Sequence, residues 1–242
     1  MRHFFAPPPD SSGTISLDGV DARHLARVLR AQPGERITVA DGLGGQWEAQ
    51  LETVAAELVT ARALKERPVQ SEPAVRVTLL TAWSRAGKWE HVLQKAVELG
   101  AARITPFCTP RCLGSLPSDK LPRLQSIARE AAMQSKRGII PEISPSMSFA
   151  DAIGLAGAHD IALFCYEAED QLSLREALDS TQPRSVAIVT GPEGGFSPEE
   201  VLLARQANCQ IVSLGPRILR CETAPLAALT ATLAFLGELD PQ

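Results

Sequence analysis

A chain of 242 residues has room for two small domains or one larger one. Apolar residues make up 45% of it and charged residues 21%, the balance of an ordinary globular protein, and no apolar run approaches the ~20 residues that cross a bilayer. The net charge of -4 carries no global sign of a nucleic-acid binder, so any such role must rest on a local patch.

The opening Met1-Arg2-His3-Phe4-Phe5 runs into prolines and lacks the apolar core of a signal peptide, so a cytoplasmic location is expected. The five cysteines are odd in number and scattered. Cys108 and Cys112 have half the spacing of a metal site, but no His or second Cys pair completes it, so reduced thiols and no metal are expected. Charge is uneven along the chain. Arg103 to Arg137 carries a net +5 and Gly138 to Gln182 a net -7. The basic stretch is read either as a local attraction for a polyanion or as a solvated helix face.

In chain order, the first ~70 residues read as β-rich. Thr14 to Leu17 and Arg36 to Val39 alternate, and Asp41-Gly42 begins a turn before Trp47 to Val54. A short helix is expected around Asp21 to Arg30, with Arg23, Arg27 and Arg30 at i, i+4 and i+7 on one face. Prolines at 68 and 73 mark a linker, which gives an expected N-terminal domain over 1–70 and a C-terminal one over 74–242. Beyond the linker, strands and helices alternate. Strands are expected at Val75 to Thr81, Arg103 to Phe107, Ile161 to Tyr166, Ser185 to Thr190 and Gln210 to Leu214. Helices are expected at Lys88 to Leu99, stopped by Gly100, at Leu121 to Ser135, after the capping-box spacing Ser197-Pro198-Glu199-Glu200, and from about Thr223 to Glu238. Such alternation implies a mostly parallel sheet covered on both faces, an α/β architecture.

Two segments stand apart. Val186 to Thr190 runs into Gly191-Pro192-Glu193-Gly194-Gly195-Phe196, a Gly-rich loop between a buried strand and a capped helix. Read alone, it is either a tight connection or a ligand loop, since ligands of open α/β sheets bind at the carboxyl ends of strands. A phosphate cradle fits poorly: no Lys-Ser/Thr follows, and Glu193 suits a cationic ligand better. The second segment, Leu214 to Ala224, places Arg217, Arg220, Glu222 and Thr223 between a strand and an apolar helix, where Glu222 or Thr223 is open to a capping role.

Together these segments, Gly191 to Phe196 and Leu214-Gly215-x-Arg217-Ile218-Leu219-Arg220-x-Glu222-Thr223-Ala224, resemble the signature of the ribosomal RNA small subunit methyltransferase E family, a branch of the SPOUT methyltransferases. Three more stretches match: His24-Leu25-x-x-Val28-Leu29-Arg30, Gln94-Lys95-Ala96-x-Glu98-Leu99-Gly100, and Glu130-Ala131-Ala132-x-Gln134-Ser135-x-Arg137. Met133 stands where an acidic residue is common and Cys221 where threonine is common. The resemblance implies a PUA-like β-barrel that binds RNA, then a SPOUT-type parallel-sheet domain with a trefoil knot, a topology no pattern argument would propose. It implies a homodimer, and methylation of N3 of a uridine in small-subunit (16S) ribosomal RNA, on naked RNA or on the assembled subunit, with S-adenosylmethionine as donor.

By the same resemblance, Thr190, Gly191, Glu193, Gly194 and Gly195 form one wall of the donor pocket. Leu214, Gly215, Ile218, Leu219, Arg220, Thr223 and Ala224 form the other, and Phe164 and Tyr166 a third edge, with a core role for Phe164 as the alternative. Uridine N3 must lose its proton to become a nucleophile, which asks for a proton acceptor or a cation beside the anion. Glu222 is the candidate acceptor and Arg220 the candidate cation; an ion pair that locks the knot is the alternative. Arg2, His24, Arg27 and Arg30 are the candidate RNA contacts of the barrel, with Gln134 and Arg137 as a second group.

Overall fold

Alternating side chains build the N-terminal sheet. The computed structural model describes residues 1–112, 114, 116–179 and 181–240. Its first strands are β1 (Arg2–Phe5), β2 (Thr14–Asp18), β3 (Arg36–Ala40), β4 (Gln46–Val54) and β5 (Leu58–Glu66). They pair in the order β1-β3-β4-β5-β2, antiparallel except for β1 on β3. Ile15 and Leu17 of β2 point inward while Ser16 and Asp18 face water, and Ile37, Val39 and Leu51 complete the same core. The sequence reading assigned no strand to β1 or β5. Ala6 and then three prolines follow β1, and the alanines and charges of β5 dilute its β pattern.

The short helix differs from expectation. α1 (Gly19–Arg23) passes into a wide π-helical turn, His24–Val28, closed by Leu29 N–H donating to His24 C=O at 2.9 Å. Arg30 then takes φ 47. The expected stripe of Arg23, Arg27 and Arg30 assumed an α-helical repeat, and the wide turn plus the left-handed residue break it.

A stretch remote in sequence completes this unit. Residues Ala132–Ile140 group with Met1–Glu72, and the second unit comprises Pro73–Ala131 and Pro141–Gln242. The Glu72 carboxylate explains the return. It pairs with the Arg137 guanidinium at 2.6 Å and accepts the Gly138 and Ile139 backbone N–H groups at 3.0 and 3.3 Å. Ile140 N–H donates to Gly42 C=O, and the buried His3 ring bonds the Arg137 backbone.

In the second unit every strand pair is parallel. The strands are β6 (Arg76–Ala82), β7 (Arg103–Cys108), β8 (Glu142–Ile143), β9 (Met147–Ser148), β10 (Ile161–Cys165), β11 (Ser185–Thr190) and β12 (Gln210–Val212). Their order is β12-β10-β11-β6-β7-β8, with β9 also on β7. The connecting helices are α2 (Ala86–Leu99), α3 (Leu121–Gln134), α4 (Phe149–Ala156), α5 (Leu174–Leu178), α6 (Pro198–Gln206) and α7 (Ala224–Phe235). Gly100 ends α2 at φ 110, where a side chain would also meet Pro73. Because β11 inserts between β10 and β6 and β12 returns outside β10, the winding reverses at β10 and β11. Such a reversal opens a crevice at the strands' carboxyl ends.

Arg137 is 2% exposed, and Glu72 is a carboxylate paired with this buried charge. Glu72→Ala is expected to destabilise the first unit by about 3 kcal/mol, with a smaller loss in Glu72→Gln. Hydrogen exchange of the β1 and β3 amides is the measurement, and unchanged protection in Glu72→Ala would refute the role.

Candidate active site

The loop after β11 is shaped by what lies under and beside it. Phe196 turns back beneath Gly191, where a Cβ would stand 3.0 Å from its ring. That ring lies 4.2 Å from Phe164, centroid to centroid, and 5.8 Å from Phe149. Gly195 takes φ 66, a left-handed conformation that favours glycine, and a Cβ there would lie 2.3 Å from the Glu167 carboxylate, which would have to move aside. From the loop after β7, the Arg111 guanidinium donates to the Gly194 and Phe196 carbonyls at 3.1 and 3.3 Å. Ser197 and Glu200 then close a reciprocal capping box at the start of α6.

The second segment follows β12. Thr223 and Ala224 N–H both donate to the Arg220 carbonyl at 2.8 and 2.9 Å, a turn that feeds α7. No side chain caps this helix, so neither Glu222 nor Thr223 has that role. Glu222 Oε2 instead receives the Cys221 thiol at 3.2 Å and the Lys88 ammonium at 3.1 Å. The Cys221 hydrogen bond, the residue's own backbone N–H and Lys88 hold the Glu222 carboxyl down at about 2. Lys88 is pushed up by the same contact, and burial with the neighbouring carboxylates pushes the Cys221 thiol up to about 12. Glu222 is therefore an ionised, weakly basic carboxylate, better suited to accepting a hydrogen bond than to taking a proton outright.

Between the two segments lies a cavity of about 840 Å³. Of the residues expected there, Tyr166, Thr190, Gly191, Glu193, Gly195, Leu214, Gly215, Ile218, Leu219, Arg220, Glu222 and Ala224 all line it. Phe164 does not; it is fully buried among the aromatic rings, the alternative left open for it. Gly194 and Thr223 are also outside the lining. Thr190 Oγ1 is buried with no hydrogen-bond partner, an orphan acceptor and donor in the cavity wall. The lining carries six carboxylates (Glu167, Glu169, Asp170, Glu176, Glu193, Glu222) against Lys88, Arg217 and Arg220. Sequence reasoning missed Lys88 and Glu167. Each lies far along the chain from both signature loops, and neither falls within a motif that marks a site by itself.

The candidate RNA contacts all fall in the first unit, including the 134–137 stretch that had been placed with the second. His24, Arg27, Arg30 and Gln134 are exposed, and Arg2 pairs with Glu35 at 2.9 Å on the surface. Arg137 is the correction: its guanidinium is buried against Glu72 and presents no charge to a phosphate. Among the described residues no three His, Cys, Asp or Glu side chains converge as a metal site, and Cys112 accepts the Thr109 N–H at 3.3 Å.

Two expected outcomes test this geometry. Gly195→Ala forces a side chain into a left-handed residue and against Glu167, and should cost about 1–2 kcal/mol in denaturant unfolding; an unaffected midpoint would contradict the strained turn. Glu222 has its folded pKa below the ordinary 4.5, so its stabilising contribution is whole above that pH and drains as pH falls toward about 2. Acid unfolding of Glu222→Gln should accordingly be shallower than wild type across that window, and superimposable curves would refute the pairing.

Two family models match the chain: an RNA methyltransferase PUA domain over residues 17–64 and an RNA methyltransferase domain over residues 70–233, the second running through the Ala132–Ile140 stretch that the fold groups with the first unit. The ribosomal RNA small subunit methyltransferase E of Synechocystis sp. is 37% identical, the match covering 97% of this chain and 78% of that protein. The protein of the same name from Bacillus subtilis is 31% identical over 95% of this chain and 93% of its own. Among solved structures, the ribosomal RNA small subunit methyltransferase E from Neisseria gonorrhoeae bound to S-adenosyl methionine superposes with a TM-score of 0.87, at 33% identity and 97% coverage of both chains. With a methyltransferase model spanning most of its length and relatives of one name matching nearly end to end, this chain belongs to the ribosomal RNA small subunit methyltransferase E family.

Proposed function

We propose that this protein methylates N3 of a specific uridine in small-subunit (16S) ribosomal RNA, with S-adenosylmethionine as donor held in the cavity between the 191–195 loop and the 214–224 segment. The observation that carries this reading is the cavity itself, at the reversal of strand order, with a buried unpartnered hydroxyl at Thr190 and an excess of carboxylates in its lining. Its volume suits a nucleoside-sized ligand, the orphan hydroxyl calls for a polar partner, and the acidic lining suits a cation. Bound there, the donor supplies a methyl group on a sulfonium sulfur. Gly191 and Gly195 let the backbone approach it, and Leu214, Leu219 and Ala224 provide the apolar wall.

Uracil N3 is nucleophilic only as the anion, so its proton passes to solvent water and the N3 lone pair takes the methyl group as the donor's carbon–sulfur bond breaks; the chain's part is to orient the base and stabilise the anion. Glu222, ionised and weakly basic, accepts the N3–H hydrogen bond and sets the ring's orientation. Arg220, exposed at the cavity mouth with no ion-pair partner among the described residues, stabilises the anion. Exposed Arg23, Arg27, Arg30 and His24 in the first unit supply the phosphate contacts. Aromatic side chains are few, 5% of the sequence, which favours recognition of RNA shape in an assembled subunit over base stacking.

The reading includes a homodimer, which membership of the family implies. It also includes the knotted threading of the C-terminal segment that family membership implies, and action in the cytoplasm, where ribosomal RNA resides. No helix among the described residues is long and apolar enough to cross a membrane.

Calorimetric titration with S-adenosylmethionine, together with nucleoside analysis of small-subunit RNA from a deletion strain, tests the reading. Donor binding and loss of 3-methyluridine are expected; no heat and an unchanged nucleoside would overturn it. Arg220→Ala should slow single-turnover methylation on the order of a hundredfold. Near-normal rates in both Arg220→Ala and Glu222→Gln would remove these residues from the chemistry.

A further inference from the structure

Lys88 stands in the first turn of α2, where a cation opposes the helix dipole. Helix stability does not account for it there. Its ammonium lies 3.1 Å from Glu222 Oε2 and 4.0 Å from Glu193 Oε1, one carboxylate in each wall of the cavity. Among the described residues no other ion pair joins the two walls. Without it, Glu193 and Glu222 would stand near each other as like charges at the cavity mouth. The Lys88 side chain is 39% exposed, and those of Glu222 and Glu193 are 23% and 26% exposed.

We propose that Lys88 is the positioning residue of the methyl-transfer site: by holding Glu222 and Glu193 on one ammonium, it fixes the spacing of the two loops and the orientation of the Glu222 carboxylate. The proposal rests on the reading of the cavity as a donor site. Lys88 acts through its two partners, so its loss lowers donor affinity by loosening the walls and lowers the rate by freeing Glu222. Arginine at this position keeps the charge and can reach both carboxylates. Methionine keeps the stem and loses the charge.

The test uses the full chain as wild type, K88M, K88R, E222Q and the K88M/E222Q double variant. Donor affinity is read by calorimetry with S-adenosylmethionine, and rate by single-turnover methylation of small subunits from a strain lacking the enzyme. Thermal melting reports on folding. K88M is expected to bind donor about tenfold more weakly and to methylate at least tenfold more slowly, with K88R recovering most of both losses. The double variant should lose less than the two single losses multiplied, because both remove one contact. E222Q reads that contact from its other side should K88M melt early. A wild type that binds donor with K88M its equal overturns this proposal alone, as does K88R no better than K88M with fully multiplicative losses. A wild type that takes up no donor overturns the donor-site reading and this proposal with it.

Discussion

Phe196 folded beneath Gly191 is the contact on which the site rests. A strand that ends in a Gly-rich loop has little side-chain mass to hold that loop in place, and glycine carries the largest entropy of ordering. The ring of Phe196 supplies what the glycines lack. It enters the aromatic cluster of Phe107, Phe149 and Phe164, so the loop is anchored from below by core packing and not by ligand contacts. Once it is pinned, the Ser197–Glu200 box sets where α6 starts and Arg111 gathers the loop's carbonyls. A pocket wall built this way is organised before any ligand arrives.

Above the aromatic floor the organisation is electrostatic. The second wall is more open: Ile218 is 87% exposed, and Gly215 takes φ 98 with open space where a Cβ would stand. Hydrogen bonds to the Arg220 carbonyl and the Lys88–Glu222 pair define its course. An excess of carboxylates in the lining makes the cavity selective for positive charge, while Lys88 keeps two of them from repelling each other. Binding preference and loop geometry therefore draw on the same groups.

The first unit repeats the theme of one carboxylate organising distant chain. Glu72, at the end of the linker, accepts from Arg137 and from two backbone amides, which ties Ala132–Ile140 to the N-terminal sheet. Gln134 and exposed Lys136 thereby join the same unit as Arg27 and Arg30, while Arg137 is spent on structure. A basic stretch that reads as one charged run in sequence thus separates into a buried anchor and exposed contacts.

Much of the second unit was legible in sequence because its signals are local. The strand Ser185–Thr190 is rich in β-branched residues (Val186, Ile188, Val189, Thr190), Gly100 stops α2 through its own backbone freedom, and Ser197 to Glu200 encode a cap within four residues. The signature loops were legible too, since their glycines and charges are adjacent in the chain. Short strands such as β8 and β9, and the π-helical turn after Arg23, lie beyond that reach, because two residues or one widened turn carry no period of their own. Partnerships across the fold are the other part that only tertiary structure decided. Whether Phe164 lines the pocket or its floor depends on the ring it meets from the next strand's loop. Whether Arg137 meets RNA or Glu72 depends on a residue 65 positions away. The basicity of Glu222 depends on Lys88, 134 positions distant, which no spacing rule connects to it. Sequence by itself determined many of the helices and strands, and the glycine loops, since those follow from neighbours in the chain; folding decided which charges meet, since an ion pair depends on distance in space.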